Sequence, residues 1–479
     1  MNGYPVFSAE EVLAATGADL VSGAKGPDRV SGVSIDSRTI QPGQLYVAIH
    51  GKRLNGHEFI GEALAQGAVG AIVDQWPLKM VPFPRVPGSS VEPGTRGNGT
   101  GCVWKVQDTL RALGDLARFH RQRFPVKVAA ITGSAGKTTT KTMAAHLLAD
   151  GESLLATPGT QNNQIGVPLT LFQITERIST VVLELGTNQW GEIRRLTEIT
   201  QPAVGVITAI GQGHLETFGD LRGVLRAKGE MWEAIGRDKT MVLNAEDPLL
   251  WEAGRRLPQR VIWYGTRPEA QVRAEQIELD AWESRCWVNG QWKLTLPLPG
   301  RHNLMNALAA LACVEALEGD LSSAVERLAG VPTVAGRLTR QALDGCTLID
   351  DSYNANPTSL AAALEVFQKT ECAGRRVAVI GDMLELGEQG PALHAQAGRR
   401  IAEAGFDLLI TVGSLSRHLL EAAREAGVPT AVTWAFDDSE AAGEFVRKII
   451  HPGDLILVKG SRGMQMEKIL TCSTTSSIH

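Results

Sequence analysis

From Val126 onward the chain alternates brief, nearly continuous apolar runs with amphipathic ones. VKVAAITG, VVLELG, AVGVITAI and TMVLNAED are the apolar runs. Between them lie TTKTMAAHLLAD, GEIRRLTEIT and LRGVLRAKGEMWEAIG, whose apolar positions recur three or four residues apart. Continuous apolar runs are strands buried on both faces, and helices between them make parallel βαβ units. The stretch 261–298 alternates more strictly and is rich in tryptophan, which predicts a small antiparallel extension, and GRHNLMNALAALACVEAL then supplies a long helix. Past GVPTVAGRL the strand–helix alternation starts again with TLIDDSYN, RRVAVIGDM, DLLITVG and DLILVKGSRG.

The region before Val126 is less regular. It mixes short strands (VSGVSIDSRTI, QLYVAIHG, VGAIVD) with a helical EALAQGA, and DTLRALGDLARFHRQRF predicts the helix that leads out of it. In between, WPLKMVPFPRVPGSSVEPGTRGNGTG is so rich in proline and glycine that it buries little, and 76–104 is expected to be a long linker. The final TCSTTSSIH reads as a frayed tail. The expected fold class is α/β with three domains: a small N-terminal α/β domain over 1–108, a central parallel-sheet domain of the P-loop ATPase kind over 109–331, and a C-terminal Rossmann-like α/β domain over 332–479. A chain of 479 residues also suggests three domains at roughly 150 residues each.

Composition narrows the classes. With 43% hydrophobic and 21% charged residues the chain is a soluble globular type, and a net charge of −5 supplies no basic field for nucleic acid. The start MNGYPVFSAEEVLAATG has neither the charged nor the apolar segment of a signal peptide. The longest apolar stretch, NALAALACVEAL, falls short of the ~18 residues of a membrane span. Cys102, Cys286, Cys313, Cys346, Cys372 and Cys472 are scattered without a C-x-x-C pair, which argues against a cysteine zinc site or disulfide framework and fits reduced thiols. A cytoplasmic protein without membrane insertion, acting as a monomer, is the expectation.

Candidate chemistry begins at ITGSAGKTTT, residues 131–140. A strand runs into the loop and a helix follows, the context a phosphate-binding loop requires. Gly133 and Gly136 let backbone N–H groups turn toward phosphate oxygens, the helix N-terminus adds its dipole, Lys137 adds charge, and the Thr138 hydroxyl can ligate Mg²⁺. The spacing is two residues shorter than in the common loop, because Ile131 stands where its first glycine would. In open α/β sheets ligands sit beyond the carboxyl ends of the strands, where two further groups fall. Glu184 ends VVLELG and either meets a cation or faces solvent. His214, in GQGHLE, is either structural or a ligand. Lys228 interrupts the apolar stripe Leu221, Val224, Leu225, Met231, Trp232 and Ile235, so it must snorkel, pair or lose its charge. A neutral buried amine there could also add CO₂ to become a carbamate.

TGSAGKTTTK, NNQIGVPLTL, ELGTNQWGEI, the His214-to-Lys228 stretch, LPLPGRHNLMNALAA, AGRL, IDDSYNANPTSL, VIGDMLELGE and LVKGSRGMQME follow in order from about residue 30 to 470. Together they resemble the ATP-dependent Mur ligases of bacterial cell-wall synthesis, which use the short TG-x-x-GKT loop. DDSYNANP and GDMLELGE resemble the members that join D-alanyl-D-alanine to UDP-N-acetylmuramoyl-tripeptide. The resemblance implies ATP as co-substrate, two Mg²⁺ ions, and amide formation through an acyl phosphate. It leaves the third residue of the tripeptide open between diaminopimelate and lysine.

Residue by residue, the resemblance implies ATP contacts from Gly133, Ser134, Ala135, Gly136, Lys137, Thr138, Thr139, Asn303, Arg337 and Asp351, with His302 beside Asn303. Thr138, Glu184, His214 and carbamylated Lys228 would be metal ligands, and Lys137, Glu184, His214, Lys228 and Arg337 the catalytic set. Ser34, Asp36, Ser37, Arg38, Asn55 and His57 of the first domain would hold the UDP-sugar peptide, with Asn162 and Asn163. Tyr353, Asn354, Asn356 and Lys459, with Arg462 nearby, would serve nucleotide or acceptor. Several of these have a competing reading in the residues alone: Asn303 as a helix cap, Arg337 as a surface arginine, Lys459 and Arg462 as surface charges, and Asp36-Ser37-Arg38 as a mere polar turn. Thr187 and Gln189-Trp190 depart from the family pattern, and Trp190 could alter the peptide or dipeptide pocket.

Overall fold

The computed structural model describes residues 5–22, 26–51, 53–76 and 101–471. Most of the expected linker (77–100) and the expected tail (472–479) lie outside these. The chain forms two compact units, one of Met1–Ala130, Ala149–Gly186 and Glu192–Ala203, the other of Ile131–Leu148, Thr187–Gly191 and Val204–His479. Three sheets carry the fold, as expected of three α/β domains. Among the described residues no helix is long and apolar enough to cross a membrane.

In the first unit, β1 (Asp19–Ser22), β2 (Val33–Ser34), β3 (Leu45–Val47), β4 (Gly70–Val73) and β5 (Cys102–Lys105) form a sheet of order β1-β5-β4-β3-β2. Only the β1–β5 pair is antiparallel. Ile40, Tyr46, Ile60, Ala71 and Val103 fill one core beside it. β5 corrects the expectation of a linker through 104. It is an interior strand between β1 and β4, yet its short apolar run abuts a glycine-rich segment and offers too few residues for a period to register. The helix Thr109–Gln122 follows, capped by Asp108, whose Oδ1 accepts the Arg111 N–H at 2.9 Å. This unit also holds β7 (Leu154–Ala156), parallel to β8 (Thr180–Glu184).

β6 (Lys127–Thr132) begins in the first unit and ends in the second. The second unit continues with β9 (Val204–Ile207), β10 (Thr240–Asn244) and β11 (Arg260–Gly265), then β12 (Val272–Leu279), β13 (Ser284–Val288) and β14 (Trp292–Leu296). The sheet order is β14-β13-β12-β11-β10-β9-β6-β8-β7. β12, β13 and β14 pair antiparallel, the extension that the tryptophan-rich stretch predicts. The chain goes from β6 to one side for β7 and β8, then to the other for β9. The loop after β6 therefore sits at a topological switch point, where open α/β sheets bind ligands.

The third sheet uses β15 (Thr339–Leu343), β16 (Cys346–Asp351), β17 (Arg376–Gly381), β18 (Leu408–Val412), β19 (Thr433–Phe436) and β20 (Leu455–Lys459) in the order β15-β16-β20-β17-β18-β19. It is parallel except for the edge strand β15. Within this second unit Leu215, Phe218, Val224 and Ala227 share one apolar cluster with Leu360, Phe367, Met383 and Leu386. The helix Leu221–Ala234, which carries Lys228, is thus packed against the elements of the third sheet.

Candidate active site

The two loop glycines are required by geometry. Gly133 has φ 146° and Gly136 φ 82°, both in the region that side chains avoid. A Cβ on Gly133 would lie 2.0 Å from Thr208 Oγ1, and one on Gly136 2.2 Å from Asn306 Oδ1. Thr208, just past β9, donates its hydroxyl to the carbonyl of Ala135 and so braces the loop from below. Lys137 opens the helix Lys137–Leu148 and donates from Nζ to the Gly133 carbonyl at 2.7 Å, so its charge lies over the loop. Thr138 and Thr139 are buried behind it, and the Ser134 hydroxyl is buried with no hydrogen-bond partner among the described residues. Neither Thr208 nor Asn306 stands out in the sequence; a threonine after a strand and an asparagine inside a helix carry no motif.

Arg337 reaches this loop. Its Nη2 donates to Thr138 Oγ1 at 2.8 Å and its guanidinium lies 4.4 Å from the Tyr353 ring centroid, so it is no free surface arginine. Beneath it, Lys459 and Asp351 pair at 2.5 Å, Lys459 being 1% exposed, which excludes the surface-charge reading. The pair follows from strand register, since Asp351 of β16 lies directly opposite Lys459 of β20. Burial pushes the Asp351 carboxyl up against the opposing pull of Lys459. Lys459 also donates to the Asn354 carbonyl at 2.9 Å. Asn356 caps the helix Pro357–Lys369 and extends Nδ2 to the Ser134 carbonyl at 3.5 Å. Arg462 remains exposed. Burial and the Lys459 charge push His302 down to about 4. Asn303 is not the helix cap: Gly300, at φ 87°, holds that position, and Asn303 is buried in the first turn, donating to the Pro299 carbonyl at 2.9 Å.

His214 has left-handed backbone, φ 58°, and its Nδ1 lies 2.6 Å from Glu385 Oε2. Glu385 is left-handed too, at φ 64°, and belongs to the GDMLELGE segment. Its contact with His214 is absent from any sequence reading, because nothing in the pattern links residues so far apart. Lys228 is 1% exposed, so snorkelling is excluded and the interruption of the apolar stripe is real. Nearby, Trp190 is exposed, edge-on to Phe218 with centroids 5.0 Å apart, and the Arg226 guanidinium lies over it at 5.2 Å.

In the first unit Glu184 ends β8 at 1% exposure, which removes the solvent-facing reading. Its Oε1 accepts from Asn162 Nδ2 at 2.8 Å, while its Oε2 is buried without a hydrogen-bond partner among the described residues. A buried carboxylate oxygen with no donor is a place for a cation. Asn163 Oδ1 accepts the N–H groups of Ile165 and Gly166 and starts the next helix. In the N-terminal set, Asp36 grips Arg38 through two side-chain bonds of 2.9 and 2.6 Å, which holds its carboxyl down to about 2 and fixes an exposed guanidinium. Ser34 closes the turn on the Asp36 N–H, and Ser37 donates to Glu62. Asn55 and His57 point inward and bond each other at 2.9 Å.

A triphosphate-type loop at the switch point of a parallel sheet, with an arginine and a lysine–aspartate pair from a second α/β sheet around it, defines a nucleotide-using α/β enzyme. The chain belongs to the Mur ligase family: residues 29–121 match the Mur ligase family catalytic domain, 131–314 the middle domain and 336–462 the glutamate ligase domain. It is 35% identical over 464 residues to the UDP-N-acetylmuramoyl-tripeptide–D-alanyl-D-alanine ligase of Escherichia coli strain K12, covering 94% of this chain and 96% of that one. Among solved structures, MurF from Acinetobacter baumannii superposes with a TM-score of 0.85 at 30% identity over 98% of both chains. MurF ligase from Thermotoga maritima in complex with ADP gives 0.77 at 25% identity over 91% of this chain and 96% of that one.

Proposed function

We propose that this chain is an ATP-dependent ligase of peptidoglycan precursor synthesis, joining D-alanyl-D-alanine to UDP-N-acetylmuramoyl-tripeptide and releasing ADP and phosphate. The observation that carries the reading is 35% identity along nearly the whole of both chains to a ligase of that name. The complete phosphate loop, the buried Glu184 and Lys228 and the partly buried His214 support it.

In the proposed reaction the terminal carboxylate of the tripeptide takes the γ-phosphoryl group of ATP and becomes an acyl phosphate. The amine of D-alanyl-D-alanine adds to that carbonyl, loses a proton, and phosphate leaves as the amide forms. Both partners of the first step are anions, so catalysis is chiefly positioning and charge neutralisation. Lys137 would exchange the Gly133 carbonyl for phosphate oxygens, and Arg337, already at Thr138, would face the γ-phosphate. Mg²⁺, when bound, supplies positive charge between the two anions. In the second unit the Thr138 hydroxyl fits such a role, with His214 and a Lys228 carbamate as further candidate ligands, and in the first unit the Oε2 of Glu184 does. The Glu385 contact at His214 Nδ1 leaves Nε2 for the metal, which makes Glu385 a positioning residue. Carbamylation would add CO₂ to the Lys228 amine with release of a proton, turning this buried side chain into a carboxylate. Asp351, His302 and Asn303 would border the nucleoside. Ser34 and the fixed Arg38 are the N-terminal candidates for direct contact with the UDP-sugar peptide, while Asn55 and His57 would shape their loop.

The test is phosphate release from ATP with UDP-N-acetylmuramoyl-tripeptide, with and without D-alanyl-D-alanine. Release that needs both substrates supports the proposal. Binding of ATP with release driven instead by an earlier muramoyl intermediate and a single amino acid would reassign the chain to a sibling reaction.

A further inference from the structure

A second cluster of ligand-type side chains lies wholly inside the first unit, after the ends of β3 and β4. The chain leaves β3, turns at Gly51, whose N–H bonds the Leu54 carbonyl at 2.9 Å, and returns with Asn55 bridged to His50. Gly56 then passes so close to Ile49 that a Cβ would lie 2.7 Å from its nitrogen, so no larger residue allows this return. The result stacks the His57 ring on His50, with centroids 4.6 Å apart and planes 29° apart. Both Nε2 atoms lie 3.1 Å from one oxygen, Asp74 Oδ1, just past β4.

Hydrogen bonding fixes the state of His57. Asn55 Oδ1 accepts the His57 backbone N–H at 3.1 Å, which identifies that atom as the amide oxygen. It can then only accept from His57 Nδ1, at 2.9 Å, so the ring proton is on Nδ1. Nε2 carries a lone pair, and it already accepts the Asp74 backbone N–H at 3.3 Å. That lone pair also lies 3.1 Å from Asp74 Oδ1, so a cation entering between the two would displace only the long N–H contact.

We propose that His50 Nε2, His57 Nε2 and Asp74 Oδ1 bind one divalent transition-metal ion of the zinc type. All three donors lie within 4.8 Å of one another. Donors around a tetrahedral ion at 2.0–2.1 Å stand about 3.3 Å apart, close to the separations from Asp74 seen here. Two imidazoles and one carboxylate suit zinc, cobalt or nickel, whereas Mg²⁺ and Ca²⁺ prefer all-oxygen sets. The Asn55 contact to Nδ1 is the outer hydrogen bond that orients metal-binding histidines. The half-exposed side of His50 leaves the fourth position to water. A metal there would tie His50 and His57 to the end of β4.

The experiment uses the full chain, stripped with chelator and kept in Mg²⁺ buffer. Zinc chloride is titrated by calorimetry, and the loaded protein is examined by X-ray absorption at the zinc edge. One tight site per chain with two imidazole ligands and no sulfur is expected. His50→Ala should weaken it by at least about 10–100-fold, the range seen for outer-shell partners alone, with ATP turnover in Mg²⁺ unchanged. Asp74→Asn, which preserves shape, should weaken it as well. Sulfur in the coordination shell, or equal zinc affinity in His50→Ala, would overturn the proposal.

Discussion

At the scale of single residues, the chemistry rests on positions where another side chain cannot be accommodated. Gly136→Ala places a methyl group against Asn306 and forces a left-handed alanine, a strain of about 1–3 kcal/mol. The expected outcome is a folded protein whose ATP affinity falls at least tenfold, checked by calorimetry with a non-hydrolysable ATP analogue; unchanged affinity would refute the loop assignment. Lys228→Ala should lose most ligase activity and regain part of it with added acetate or formate, read as phosphate release. Full activity without rescue would remove the carbamate. Lys228 was legible in the sequence because a charge at a buried helical position breaks a period. Glu385 and Asn306 were not, since an ordinary glutamate and an ordinary asparagine become informative only once the fold brings His214 and Gly136 to them.

Strands and helices show why some elements can be read and others not. β16, β17, β18 and β20 are continuous apolar runs and announce themselves, as do the helices between them. β5 and β15 do not: one is four residues beside a glycine-rich stretch, the other an edge strand with exposed positions. Register adds what pattern cannot. Pairing β16 with β20 makes Asp351 and Lys459 neighbours, and a sheet-interior ion pair is the result. Lys459→Met should therefore destabilise the protein by about 3–5 kcal/mol, because it leaves a buried carboxylate unpaired. Adding Asp351→Leu should recover much of that loss in urea denaturation. A single substitution as mild as an ordinary surface change would show that the pair is not buried in solution.

For the molecule as a whole, buried histidines set an acid limit. His120 donates from Nε2 to the Ile174 carbonyl at 3.0 Å, and its buried Nδ1 has no partner among the described residues, so a second proton would find no acceptor there. Burial pushes it down to about 4, and His302 in the second unit also to about 4. A folded-state value below the unfolded 6.5 means that the unfolded chain takes up more protons. Stability is thus intact above pH 6.5 and is lost as pH falls toward 4, by about 2 kcal/mol at pH 5 for His120. Melting temperature should drop between pH 7 and pH 5, and His120→Phe should reduce that drop; a flat profile in the parent protein would contradict it.

The strand order of the third sheet has a consequence for how the protein is made. β20, the last strand among the described residues, is an interior strand between β16 and β17. Until it emerges from the ribosome, each of those two strands shows an open edge with unpaired N–H and C=O groups. Such edges are templates for pairing with other chains. A nascent or prematurely stopped chain that ends before Leu455 carries two of them at once. Protection of that interval, by chaperone or by rapid synthesis of the last stretch, decides how much of this protein reaches its native state.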